Sequence, residues 1–170
     1  GNNGCPPGTF SVAISADNSI MTLMFDNFEA TIGPKVPKGS NSKYCAVTVK
    51  LDVPDNWRYR IDAADYRGYC NLESGVTGTI TSGYGHGGKN DQTRFSKSLR
   101  GPLSEDYLLH SGNQRGATSP CGKQANSKNS VRITLRIGLQ SRNEQAQGLI
   151  TADSADHVFK QELPLTWEKC

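Results

Sequence analysis

The chain has 170 residues, enough for one domain with a core and short for two, and its 19 basic and 16 acidic residues are mixed along its whole length. A net charge of +3, so dispersed, argues against nucleic acid or an anionic membrane as a partner. No apolar run approaches the ~20 residues that span a bilayer. Hydrophobic residues make up 35%, the mean hydropathy is −0.57, and 18 glycines and 8 prolines punctuate the chain, so a thin core and many turns are expected. The five cysteines, Cys5, Cys45, Cys70, Cys121 and Cys170, are widely spread with no CxxC pair. That distribution disfavours a zinc ribbon and reads as disulfides in a secreted, extracellular protein. No signal peptide is present, as in a mature secreted chain, and no Asn-x-Ser/Thr sequon occurs.

In chain order, a turn-rich lead-in through Cys5 precedes a strand at Thr9–Ser15, where Phe10, Val12 and Ile14 alternate with small residues. Asp17-Asn18 predicts a hairpin turn, and Met21, Leu23 and Phe25 continue the alternation. Gly33–Ser40, with Pro34 and Pro37, predicts an exposed loop. Cys45, Val47, Val49, Leu51 and Val53 against Tyr44, Thr48, Lys50 and Asp52 give a clear period of two, hence a strand with one wet face. Trp57, Tyr59, Ile61 and Ala63 form the next, with Arg58, Arg60 and Asp62 outward. The pattern breaks at Ala64, and Asp65-Tyr66-Arg67-Gly68 predicts a bulge or corner. Gly75–Thr81 is a weaker strand, and Ser82–Asp91 predicts a flexible loop. Gln92–Leu99 is extended, Pro102–His110 has room for one helical turn, and Ser111–Asn129 is polar loop. Val131–Leu139 is the second clear strand, and Leu149–Thr151 with Val158–Trp167 a closing hairpin. The sum is an all-β fold, a two-sheet antiparallel β-sandwich of about nine or ten strands forming a single domain over residues 1–170.

Several short runs occur in a characteristic order: Gly4-Cys5-Pro6, Asp65-Tyr66-Arg67-Gly68-Tyr69, Gly101-Pro102-Leu103, Asp106-Tyr107-Leu108-Leu109-His110, Ser119-Pro120-Cys121-Gly122, Asp153-Ser154, and Trp167 followed by Cys170. Across essentially the whole chain this pattern resembles a family of small secreted proteins, abundant in filamentous fungi, known as a domain of unknown function. The resemblance implies a cysteine-bridged secreted β domain, with members suspected of being effectors, and no established activity. The family's usual four cysteines correspond to Cys5, Cys45, Cys121 and Cys170, so two disulfides are expected. Three connectivities are open, and Cys45–Cys170 with Cys5–Cys121 is the pairing expected here. Cys70 departs from the family pattern and is read as a free thiol.

No catalytic set emerges. His86, His110 and His157 share no ligand spacing, and Asp153 and Asp156 read as turn-closing residues with only a partial oxygen set for a metal, so neither a metal nor a cofactor is expected. Gly85-His86-Gly87-Gly88 resembles the Gly-x-Gly-Gly loop by which chagasin-family β-sandwiches enter the cleft of papain-like proteases, although their other two inhibitory loops have no counterpart here. The leading expectation is a monomeric, non-enzymatic, effector-like protein that binds an extracellular host target through loops, most concretely a cysteine protease. Tyr84, Gly85, His86, Gly87, Gly88, Lys35, Lys38 and Arg115 are its contact candidates. The alternatives are a cell-wall glycan-binding module or glycan-active enzyme, with a platform drawn from Tyr44, Tyr59, Tyr66, Tyr69 and Tyr84, and a structural surface protein.

Overall fold

The computed structural model describes residues 3–112, 114–122, 129–151 and 159–170. Asp153, Asp156 and His157 therefore lie outside the described residues. The described residues form twelve strands: β1 (Phe10–Ile14), β2 (Ile20–Phe25), β3 (Ala30–Ile32), β4 (Ser42–Lys50), β5 (Trp57–Ile61), β6 (Ala64–Leu72), β7 (Val76–His86), β8 (Thr93–Arg100), β9 (Leu103–Ser111), β10 (Ser130–Ser141), β11 (Gly148–Thr151) and β12 (Phe159–Lys169). They form two antiparallel sheets, a sandwich as expected from the alternation, with more strands than the nine or ten expected.

The larger sheet runs β1-β2-β12-β6-β11-β3, with β5 also beside β12 and β9 beside β6; the smaller runs β4-β10-β7-β8. Inward residues of both meet in one apolar cluster, including Met21, Leu23, Phe25 and Leu163 from the larger sheet and Val47, Ile80, Ile133 and Leu135 from the smaller. Phe25, Phe28 and Phe159 pack with ring centroids 5.3 to 6.1 Å apart. Each such buried side chain contributes roughly 1.5–3 kcal/mol. A polar link also crosses between the sheets: Tyr66 bonds Ser82, Ser82 Oγ lies 2.9 Å from Tyr84 Oη, and Gln161 Nε2 donates to Tyr84 Oη at 2.7 Å.

Three expectations are corrected. Pro102–His110 falls on strand β9 from Leu103 onward, not on a helical turn; among the described residues this strand pairs only with β6, so just Tyr107 is buried and the apolar alternation is faint. Residues 65–68 run straight through β6. The irregularity falls earlier: Ile61 to Asp65 is four steps, while their partners Leu165 and Glu162 are three apart, which places one extra residue, a bulge, at Asp62–Ala64. The disulfides are Cys5–Cys45 and Cys121–Cys170, not the expected pairing. Gly4 N donates to the Tyr44 carbonyl at 2.9 Å, holding the lead-in beside β4, and Cys170 N donates to the Asn56 carbonyl at 2.9 Å, holding the end of β12 beside the entry to β5. Each bridge closes a separation of 40 or 49 residues, so each restricts the unfolded chain by about 4 kcal/mol.

Cys70 is a buried free cysteine whose thiol is pushed up in pKa by burial. A thiol reagent applied to the native protein at neutral pH is therefore expected to leave Cys70 unlabelled, and to label one thiol per chain after unfolding without reductant. Rapid native labelling would contradict this burial.

Candidate functional site

Strands β5 and β12 pair with Trp167 opposite Tyr59 and Lys169 opposite Trp57. Residues directly opposite share a face, as do residues two apart on one strand, so Trp57, Tyr59, Trp167 and Lys169 all point to the same side. That side faces the smaller sheet. Tyr59 is buried there, but Trp57 and Trp167 stand at the end of the sandwich and remain half-exposed. Both tryptophans of the protein consequently line one groove of about 590 Å³. Leu51 and Leu165 give it further apolar surface. Asp17 and Asn18 from the β1–β2 turn, and Lys50 and Asp52 at the exit of β4, supply polar groups.

The groove is held in place by hydrogen bonds. Asn18 adopts φ 58° at the tip of the turn, and its carbonyl accepts Trp167 Nε1–H at 2.8 Å. Asp17 Oδ1 accepts Ser19 Oγ at 2.6 Å, Ser15 Oγ at 2.7 Å and Ser19 N–H at 3.1 Å. These bonds lower the Asp17 pKa to about 2, so its carboxylate is an acceptor at neutral and mildly acidic pH. Lys169 Nζ lies 5.7 Å from the Trp57 ring centroid, a cation–π contact at the rim.

Behind the groove the aromatic column continues inward. The Trp167 and Tyr59 rings are 5.4 Å apart, and Tyr59 and His86 5.1 Å and edge-on. His86 Nε2 is 3.0 Å from the Ala117 carbonyl, which can only accept, so the proton sits on Nε2 and Nδ1 accepts from Tyr59 Oη at 3.3 Å. Burial lowers the His86 pKa below its ordinary 6.5. The unfolded chain therefore takes up a proton at a pH where the folded chain does not, and stability falls as pH drops below about 6.5. Thermal melting between about pH 7 and pH 5 is expected to show this slope in the wild type and a flatter one in His86→Gln; equal slopes would refute it.

Tyr84, Gly85 and His86 are thus corrected: they are buried strand residues of β7, not loop contacts. β7 runs past Thr81 because Ser82, although polar, is satisfied in the core by Tyr66 and Tyr84. The spacing Ile80, Tyr84, His86 on one parity was the available signal. Gly85 serves close packing, since a Cβ there would lie 2.1 Å from the Lys89 carbonyl oxygen. Only Gly87 and Gly88, at φ 63° and 82°, with Lys89 and Asn90, form the turn that reaches the surface. Lys35 and Lys38 are exposed on the 33–40 loop, and Arg115 is exposed beside β5; none of the three lines the groove. Of the tyrosines proposed as a platform, Tyr59, Tyr66 and Tyr84 are buried. The groove's aromatics are instead the tryptophans, which period-two alternation places on strands and no sequence motif marks as a site. A shallower depression of about 690 Å³ at the far end of β6, between Asn71 and Gln145, has no aromatic lining. Among the described residues no group of three or more His, Cys, Asp or Glu side chains gathers to hold a metal, and no helix is long and apolar enough to cross a membrane.

The family described as Domain of unknown function (DUF4360) matches residues 1–170. The chain belongs to this family. A relative from Arthroderma benhamiae, described as an uncharacterized secreted protein, is 41% identical over 172 residues, covering 100% of this chain and 69% of the relative. With its two disulfides, this DUF4360 chain is a secreted protein. Among solved structures, an aminopeptidase from a marine sediment Thaumarchaeota archaeon aligns with TM-score 0.48 and 7% identity over 95% of this chain and 37% of the enzyme. TmCBM61 bound to β-1,4-galactotriose aligns with TM-score 0.29 and 9% identity over 98% of this chain and 92% of that one. Likenesses this remote transfer no activity.

Proposed function

We propose that this secreted protein is a non-catalytic carbohydrate-binding protein whose groove holds a neutral glycan against Trp57 and Trp167. The observation that carries the reading is the gathering of both tryptophans on one face of the β5–β12 ribbon, in an open groove with a polar rim. The C–H faces of a sugar ring are apolar and weakly positive, and they stack on the negative face of an indole. The hydroxyls around the ring need donors and acceptors, which Asp17, Asn18, Lys50 and Asp52 supply. Asp17 and Asp52 line the groove with Lys50, and Lys169 stands over Trp57 at its rim, so acidic and basic groups are both at hand for sugar hydroxyls. Asp17, held ionised by its hydrogen bonds, is unsuited to act as the protonated general acid of a glycosidase.

Pull-down on insoluble chitin and β-glucan, with tryptophan fluorescence during titration with the soluble oligosaccharides, tests the proposal. Retention and a saturable fluorescence change support it; wild-type protein that stays in the supernatant with every glycan overturns it. The protease-inhibitor reading keeps only the Gly87-Gly88 turn as a wedge. Unchanged turnover of secreted papain-like proteases at micromolar protein would remove it.

A further inference from the structure

The opposite face of the β5–β12 ribbon holds an arrangement that the groove does not use. Arg58 and Arg60 alternate with Trp57 and Tyr59, so they project from the outer side of the larger sheet, as does Glu168. Arg58 Nε donates to Glu168 Oε1 at 2.8 Å, and Arg60 Nη1 donates to Glu168 Oε2 at 3.0 Å. Arg60 Nε also donates to Asp62 Oδ2 at 2.8 Å. Arg115 Nη2 then reaches the same Glu168 Oε1 at 3.5 Å. Partial burial works to raise the Glu168 pKa, but the bond and charge of Arg58, with Arg60 and Arg115, outweigh it and leave the carboxyl below its ordinary range.

The carboxylates are saturated. Asp62 Oδ1 accepts the Gly116 N–H at 2.6 Å, and every other oxygen of the pair is taken by a guanidinium. Three guanidiniums face two carboxylates, leaving a positive surplus. Arg60 alone bridges both acids and, at 17% exposure, is the structural member. Arg58 and Arg115 are 40% and 64% exposed, are tethered to a single oxygen, and use one N–H group each in these bonds. Their remaining N–H edges have no partner among the described residues. Arg115 is not carried on a loose loop: a Cβ at Gly116 would lie 1.8 Å from the Ile61 carbonyl oxygen, and Thr118 forms a β-bridge with Arg60. Two planar donor forks held together with unused N–H edges are suited to an anion with two or more oxygens.

We propose that Arg58 and Arg115, set by Glu168, form a second binding site that clamps the carboxylate or sulfate group of an acidic polysaccharide. The polymer rests on the glycan-binding reading; the anion chemistry does not. The test is calorimetric titration of the whole protein with oligogalacturonate, with dextran sulfate, and with uncharged dextran as reference. Binding of either polyanion, weakening as salt is raised, supports the clamp, and the stronger of the two identifies a uronate or a sulfate ester as its target. The double variant Arg58→Gln/Arg115→Gln is expected to bind about tenfold or more weakly, since charge-assisted hydrogen bonds are lost. Polyanion binding is read with no neutral glycan present, and the pull-down on chitin and β-glucan with no polyanion present, so failure of the groove and failure of the clamp are distinguishable. If the double variant does not fold, Arg115→Lys keeps the charge and removes the fork, and a several-fold loss is expected. The clamp is overturned if no polyanion binds, if the folded variant binds as tightly as wild type, or if Lys35→Gln/Lys38→Gln weakens binding as much.

Discussion

Gly68→Ala should be among the most damaging single-methyl substitutions in the chain, costing about 3 kcal/mol or more. Gly68 sits in the middle of β6 opposite Tyr107 of β9. A Cβ there would lie 2.0 Å from the Thr151 carbonyl oxygen and 2.4 Å from Tyr107 Oη. Neither neighbour can yield cheaply. Thr151 is fixed by the pairing of β11 with β6, and Tyr107 is buried with its ring laid over the glycine, which covers the gap that a missing side chain leaves in a strand. Because Gly68 does not have a positive φ, the cost is steric rather than conformational. Gly75→Ala is the contrast: φ is +88° but nothing lies within 4 Å of the added methyl, so only about 1–2 kcal/mol of backbone strain is expected. Urea denaturation of the two variants checks the pair. Against a total stability of about 5–15 kcal/mol, Gly68→Ala should shift the midpoint drastically or prevent soluble expression. A loss within about 1 kcal/mol would contradict the packing described.

The same residue shows where the sequence is legible and where it is not. Period-two alternation made β4, β5 and β10 readable, because each buries one face against an apolar core. It failed where burial is polar or partial. Ser82 lies in the core through hydrogen bonds that only the assembled sheets provide, so β7 looked finished at Thr81. On β9 one edge has no partner strand among the described residues and Leu108 is 63% exposed, so nothing in the local pattern excludes a helical turn. Gly68 suggested a corner because glycine in a strand is locally unfavourable; its reason, the Tyr107 ring, comes from a partner strand. The disulfide pairing depends on which strand ends lie together, which periodicity does not encode. The groove is the extreme case. Trp57 and Trp167 are far apart in the chain, and only the β5–β12 register makes them neighbours.

That register leads to the prediction with the largest expected effect on binding: Trp57→Ala should abolish measurable glycan retention while leaving the protein folded. An aromatic anchor at the centre of a binding site commonly carries about 2 kcal/mol, equivalent to roughly a thirtyfold loss of affinity. For a weak, open groove this is enough to take binding below detection. Trp57 is half-exposed, and the strand it begins is pinned independently by Cys170 N–H to the Asn56 carbonyl and by the Cys121–Cys170 bridge. The fold therefore does not depend on the indole. Trp167 differs: its ring packs on Tyr59 and its Nε1–H is bonded to Asn18, so Trp167→Ala should lower stability as well as binding. Trp57→Phe retains an apolar ring of smaller area and is expected to bind at an intermediate level. Pull-down and melting temperature together separate these outcomes. Trp57→Ala protein that melts like wild type and is still retained on the glycan would show that the sugar does not stack in this groove.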